Sequence, residues 1–371
     1  MKLKLYFLIF ILLNSFLIFP QDKFEGIIKI APDNFISIEN LNGNIEVDSW
    51  NMDFVQITAL KVSWSSETKN ELHKVSIIGT PIEGGILIKT IYDASIQPDR
   101  ISVFLNIKLP SSTPIKDIST MNGFITTNRT LGSSQIISHS GDIRVNNHTG
   151  NLMIVTYNGG VRCENILGDL NISTIGGRIK LDNVEGTVNT YNNNLWTTAD
   201  NVTGKINLSS ESGYIKATQC EGEINLSTSI GWIKVENSKG LIEAYTGFGR
   251  VSITDSSGEI RVKNGNGSIS IVNSGDIIYA ETNRGNIDAE VITINESGTT
   301  LKTANGNIKA SISKMIDSTI KISGNLSKAD LKKTSIKFEQ INYTMIKGVT
   351  GKGTHNLLIS TGSGKIKIED Y

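Results

Sequence analysis

Residues 177–240 read GRIKLDNVE GTVNTYNNN LWTTADNVT GKINLSSES GYIKATQCE GEINLSTSI GWIKVENSK G: seven nonapeptides, all but one opening on glycine. Extended outward, this rhythm puts glycine at every ninth position from Gly123 to Gly267, filling sixteen of seventeen slots, with Leu195 the one interruption. Glycine is only 35 of 371 residues, so chance does not produce that spacing. The true unit is twice as long. GRIKLDNVE (177–185) and GWIKVENSK (231–239) are one kind of half, GKINLSSES (204–212) and GEINLSTSI (222–230) another. In the first half the seventh position reads Asn147, Asn165, Asn183, Asn201, Gln219, Asn237, Asp255, Asn273; in the second it reads Ser138, Thr156, Thr174, Asn192, Ser210, Thr228, Thr246, Asn264. Two different columns, each recurring once per pair of nonapeptides, predict an 18-residue coil.

Within each half the third and fifth positions are apolar and the second, fourth and sixth mostly polar, the period-two pattern of a strand with one buried face. The first half supplies Ile143, Val161, Ile179, Ile215, Ile233 and Val251 to the inside, the second Leu152, Leu170, Val188, Ile206, Ile224 and Ile242. Two strands per coil then face each other across a narrow core. Glycine marks each corner, and the Asn and Ser/Thr columns are placed to bond corner backbone and one another from coil to coil. The fold class that follows is all-β: a two-sided parallel β-solenoid (β-helix) built from this 18-residue coil, with irregular β caps at both ends. Stacked at ~4.8 Å, the eight coils from Gly123 to Gly267 give a rod of roughly 40 Å. Right-handed winding is expected from the handedness of parallel crossovers. An antiparallel sandwich with glycine turns does not explain why two different polar columns alternate.

Four segments are expected. Residues 1–21 read as a signal peptide, with Lys2 and Lys4 ahead of the apolar run Leu5 to Phe19, which is short for a membrane span. No cysteine lies nearby to take a lipid. Residues 22–112 form an N-terminal β cap, although GNIEV (43–47) already has the shape of the repeat. The array runs over 113–312, with GNIDA (285–289) and GNIKA (306–310) read as neighbouring strands one coil and a three-residue insertion apart. Residues 313–371 are a C-terminal β cap that continues the solenoid, since GKIKI (364–368) fits the first-half motif. An exported protein is expected, in the periplasm, on the outer surface or secreted.

Charge narrows the partners. The 36 basic residues balance the 36 acidic ones, so there is no overall field for nucleic acid or an anionic membrane. Cys163 is an inward position and Cys220 a corner position three coils away, ~14 Å along the axis, which is too far for a disulfide. Two free thiols are expected.

The strand ISVFLNIKLP (101–110), the repeated N-G-x-I-x-V units and the closing STGSGKIKI (360–368) together resemble a bacterial family of exported β-solenoids labelled putative adhesins and otherwise of unknown function. The resemblance spans most of the mature chain and implies the fold and export. It supplies no catalytic residues.

The strongest candidate site appears in the first-half column after glycine: Arg178, Trp196, Tyr214, Trp232, Arg250. Three successive coils present outward aromatics, with Lys180, Lys216 and Lys234 two positions along their strands or a neighbouring one. Aromatic faces beside cationic donors suit flat sugar rings or an anionic polymer. The same column could instead stabilise adjacent strands, or lie beneath the N-terminal region, and the exposure of Trp232 decides that. Glu164, Asp182 and Asp200 share another outward column, but Arg162 and Lys180 stand two residues earlier, which favours an ion-pair ladder over a calcium site. The G-G-x-G-x-D signature of calcium-binding β-rolls is absent from the sequence. His139 and His148 fall in opposite halves, and His73 and His355 are isolated, so no metal site, cofactor or catalytic constellation is expected. The N-x-S/T sequons at Asn171, Asn207 and Asn225 recur at multiples of the coil period and read as a by-product of an amide column.

Three functions fit. The first is an adhesin-like binding or scaffold module of the cell envelope that presents the aromatic face to a glycan or an envelope protein, without catalysis. The second is a self-associating structural envelope protein, and the third a polysaccharide-acting β-helix enzyme.

Overall fold

The structure, a computed structural model, describes residues 21–370 except Ser66 and Asn325. The expected signal segment, Met1–Pro20, lies outside the described residues. The chain is nearly all strand and winds through about 11 turns, with parallel bridges about 18 residues apart. In the first-half sheet Ile143 pairs with Val161, Val161 with Ile179, and Ile179 with Thr197. In the second-half sheet Leu152, Leu170, Val188 and Ile206 follow one another in the same way. Every inward residue expected above is at most 2% exposed. The two-sided core read from the alternation is therefore the core of the protein, and each coil buries its apolar face only against its neighbours.

The corners explain the polar columns. In the first half, Asn147, Asn165, Asn183 and Asn201 all have φ between 53° and 55°, a left-handed conformation that Asn tolerates better than other L-residues. Their side chains also meet: the Asn165 amide donates to Asn147 at 3.0 Å and that of Asn201 to Asn183 at 3.1 Å. The residue after this turn points inward, a position that two strands per coil do not account for. His148, Ile166, Val184, Val202, Cys220 and Ser238 occupy that column and are all buried. In the second half the polar position turns inward to serve the next corner. Thr174 Oγ1 donates to the Gly159 carbonyl at 3.1 Å and accepts from the Gly177 N–H at 3.1 Å. Ser138, Thr156 and Thr246 make the same bond to a corner carbonyl, whereas the buried hydroxyls of Ser210 and Thr228 in this column have no partner among the described residues.

Both ends are built by an excursion of the chain. Phe35–Asn42 and Ile45–Trp50 already form a coil: Ile38 pairs with Ile118, and Ile45 with Ile125. The solenoid pairing thus begins inside the stretch read as the N-terminal cap. The intervening chain folds back beneath that coil, placing Gly85–Tyr92 and Ile101–Pro110 on its outer side. Antiparallel Phe54–Ser63, Gln21–Lys29 and Val75–Ile82 then extend the sheets. The far end repeats the device in reverse. Ile287 pairs with Ile308, and Ile308 with Ile366, so the closing GKIKI strand stacks on the 306–312 coil. The companion strand His355–Thr361 slots between Thr299–Asn305 and Ser318–Ser323. Antiparallel Met345–Thr350 and Lys337–Ile341 lie beyond. Antiparallel strands cover both sheets at the first end and one at the far end, where the other sheet closes on the short strand Asp330–Lys333, parallel to the closing strand; bare parallel edges are the surfaces on which solenoids aggregate.

Candidate functional site

The aromatic column stands on the glycine corner between the two sheets. Successive coils superpose there: Ile179 N–H bonds the Trp196 carbonyl at 2.9 Å, Tyr214 pairs with Trp232, and Ile233 N–H bonds the Arg250 carbonyl at 2.9 Å. The side chains at the second position of successive first halves therefore form a row along the rod axis. Trp196 is 52% and Trp232 63% exposed, so nothing from the N-terminal region covers them. Trp196, Tyr214, Trp232, Lys234 and Arg250 border one shallow trough of about 740 Å³, with Gly213 and Gly231 along its floor.

Part of the row is self-supporting. The Arg178 guanidinium lies 4.9 Å from the Trp196 ring centroid, and the Trp196 and Tyr214 rings meet edge to face at 6.1 Å and 76°. A cross-strand aromatic contact of this kind contributes roughly 0.2–1 kcal/mol. Burial of the Tyr214 ring, only partly offset by Lys234 and Lys216, raises the pKa of its phenol, which keeps the O–H as a donor beside the trough. Trp232 has no such ring partner among the described residues and presents its face to solvent.

The lysines divide differently from the sequence expectation. Lys234 and Lys216 converge on Glu236, at 2.6 Å and 3.0 Å. Their hydrogen bonds, Lys234 first, hold the Glu236 carboxyl below its usual pKa, and the same carboxylate raises that of Lys216. Lys180 sits half-buried on its strand, away from the trough lining. Arg178 and Arg250 are exposed, and no ion pair engages either among the described residues. Cations outside any ion pair among the described residues accordingly sit at the two ends of the row, while the two lysines in the middle share one carboxylate and keep one net positive charge. Glu236 falls in the same repeat position as Glu164, Asp182 and Asp200 and two residues after Lys234, and only stacking brings it within reach of Lys216 on the preceding coil as well.

Two further apolar side chains stand outside the sequence expectation. Ile230, 58% exposed, and Phe248, 57% exposed, each precede a corner glycine and stand on the opposite side of the glycine column from the aromatics. Their signal is legible: a large apolar residue in a slot that Asn or Ser fills in other coils.

The remaining candidates separate. Glu164, Asp182 and Asp200 are in register on adjacent strands, and Glu164 is engaged by Arg162. Among the described residues no group of three or more His, Cys, Asp or Glu is arranged to hold a metal ion. His148 is buried between Thr130 and Gly132, whereas His139 lies on the surface against Tyr157. Cys163 and Cys220 are both free and buried. Burial raises both thiols, that of Cys220 to about 11, so neither is a nucleophile at neutral pH. No helix among the described residues is long and apolar enough to cross a membrane.

Fold and corner together define a capped parallel β-solenoid with an open aromatic trough along one edge. No protein-family model matches the sequence, and no curated protein matches it. Among solved structures the chain is similar to one described as a putative cell adhesion protein from Clostridium sporogenes, with 10% identity, 94% of this chain and 100% of that one covered, and a TM-score of 0.16. It is similar also to a putative adhesin from Bacteroides fragilis, with 13% identity, 94% and 97% covered, and a TM-score of 0.24.

Proposed function

We propose that this protein is an adhesin-like binding module of the cell envelope that engages a glycan through the aromatic corner and carries out no catalysis. The observation that carries this reading is the open face of Trp232 beside the Trp196–Tyr214 pair, above a floor made by Gly213 and Gly231. A pyranose ring has one face of C–H groups that packs on an aromatic plane, while its hydroxyls accept from the nearby Lys234. Large aromatics left in water are costly unless something covers them. The charged groups around the trough support binding over chemistry, because Glu236 is held charged by two lysines and is poorly disposed to exchange a proton. Export, expected from the segment Met1–Gln21, would bring such a surface to where envelope polysaccharides are met.

The test is a glycan array probed with the mature chain and with a Trp196→Ala/Tyr214→Ala/Trp232→Ala variant whose circular dichroism and melting match the parent. Binding that disappears in the variant is the expected result. Binding retained in the variant overturns the assignment of the site, and concentration-dependent filaments without glycan binding would replace the reading by that of a self-associating scaffold.

A further inference from the structure

We infer that the ligand of this corner is an extended acidic polysaccharide, lying in the trough parallel to the rod axis with carboxylates on Arg250, which lines the trough, and on Arg178, which stands one coil beyond Trp196; this rests on the reading of the corner as a glycan-binding site. The trough has the shape of a channel. Its floor is the glycine column, where Gly213 and Gly231 lend no side chain. Trp196, Tyr214 and Trp232 line it, and the exposed Ile230 and Phe248 each precede a glycine of the same corner column without lining the trough. Nothing closes it along the axis, because each coil repeats the corner of the one before. A linear chain fits such a channel lengthwise, and a compact ligand leaves most of it empty.

Charge then selects among linear chains. The two central lysines share the single carboxylate of Glu236, which leaves one net positive charge between them, and the positive groups outside any ion pair among the described residues at the ends of the row are Arg178 and Arg250. Four coil steps separate these arginines, about 19 Å at the usual strand spacing. A chain that rests on the aromatics and carries carboxylates at intervals meets both. Arginine suits that partner, since its planar fork bonds a carboxylate through two N–H groups.

Other anionic partners fit less well. Single-stranded nucleic acid needs a basic groove that tracks its phosphates, and here the chain's net charge is zero and the two lysines in the middle of the row share a carboxylate. The Trp196 and Tyr214 rings stand nearly perpendicular at 76°, and so form no stack to continue a run of bases. An anionic bilayer is flat, and a rod resting on it would bring the column of Glu164, Asp182 and Asp200 toward the headgroups. That column lies four residues along the strand from the trough row, about 13 Å away, beyond the width of a single sugar chain.

The experiment is calorimetric titration of the mature chain with oligogalacturonates of increasing length and with neutral cello-oligosaccharides of the same lengths, at low and high salt. Parallel arms use single-stranded oligothymidylate and phosphatidylglycerol vesicles. The expected result is preference for the acidic oligomers, affinity that rises with length until a chain spans both arginines, and weakening by salt. An Arg178→Gln/Arg250→Gln variant should lose about tenfold for the acidic oligomers and leave neutral ones unchanged. Equal affinity for neutral and acidic oligomers, or no effect of the arginine variant, overturns this inference while leaving the glycan site intact, provided the triple aromatic variant still abolishes binding. Capture of the oligothymidylate or the vesicles without oligogalacturonate overturns it in favour of that partner. If no glycan binds at all, the site assignment falls with it.

Discussion

Gly177 sits directly over Gly159, so close that a Cβ on Gly177 would land inside the Gly159 carbonyl oxygen. The corner glycines are therefore required by the stacking of coil on coil, and at Gly177 no unusual φ is involved. Its neighbour Gly176 is different: a Cβ there would find its nearest atoms at 3.5 Å, on Asn158 and Tyr157. Gly177→Ala should destabilise the array by about 1–3 kcal/mol, the usual range for overpacking, and Gly176→Ala should be close to neutral. Hydrogen exchange resolved by coil is the better readout, because repeat arrays lose stability locally before they unfold globally. Equal effects of the two substitutions would contradict the close approach.

Asn183 holds its turn at φ 55° while its amide donates to Asn165 at 2.6 Å and accepts from Asn201 at 3.1 Å. Replacement by Ala keeps a β-carbon in the left-handed region but removes the short polar side chain that makes Asn tolerant of it, together with both amide contacts, at a cost of up to about 1–2 kcal/mol for the backbone. Asn183→Gly restores the backbone freedom and should be the milder of the two. Chemical denaturation of both variants tests the order.

His148 is buried, with Nδ1 2.9 Å from the Thr130 hydroxyl and Nε2 3.0 Å from the Gly132 carbonyl. A carbonyl only accepts, so Nε2 carries the proton and Nδ1 accepts from Thr130. Burial lowers the pKa of this histidine, the Gly132 bond offsetting the shift only in part. The sign follows from linkage. The folded value lies below the unfolded one near 6.5, so the stabilisation is complete above that pH and is lost as pH falls through the folded value. Melting followed from about pH 7.5 to about pH 4.5 should show this slope in the parent and lose it in His148→Val, which copies Val184 and Val202 of the same column. The pH slope is the decisive quantity, because Thr130 also loses a partner in the variant.

Glu236 ties down Lys216 and Lys234 in a half-exposed cluster. Glu236→Gln should change stability by less than about 1 kcal/mol, the usual worth of such pairs. Because its folded pKa is depressed, the small contribution it makes is present above the ordinary carboxylate range and lost in acid. The larger effect is on the trough, where two cations are released. Affinity for oligogalacturonate should rise and become more sensitive to salt, and unchanged affinity would count against an electrostatic role for this corner.

Much of the fold is legible because a solenoid writes its geometry into the chain as a period. The spacing of the glycine and asparagine columns carries the register, and Ile143, Val161 and Ile179 stack as the alternation requires. The inward column through His148 and Cys220 is harder to see, since it mixes His, Ile, Val, Cys and Ser and has no single chemical type to align. The candidate row of Arg178, Trp196, Tyr214, Trp232 and Arg250 is visible as a column, but its exposure is not.

By itself the sequence determined the coil: where the corners fall, which residues face inward, and which outward residues stand above one another, because these depend on neighbours one period away. The tertiary structure decided what depends on distances unrelated to that period. Residues 35–50 became a coil by pairing with residues 80 positions later, and the closing strand entered the stack beside residues 58 positions earlier. It also decided that Trp232 is open to solvent, that Glu236 takes up one of the two charges of the central lysines, and that Arg178 and Arg250 stand outside any ion pair among the described residues. Contacts between coils fix these features, and a linear chain records the residues involved without recording which of them are close enough to neutralise or cover one another.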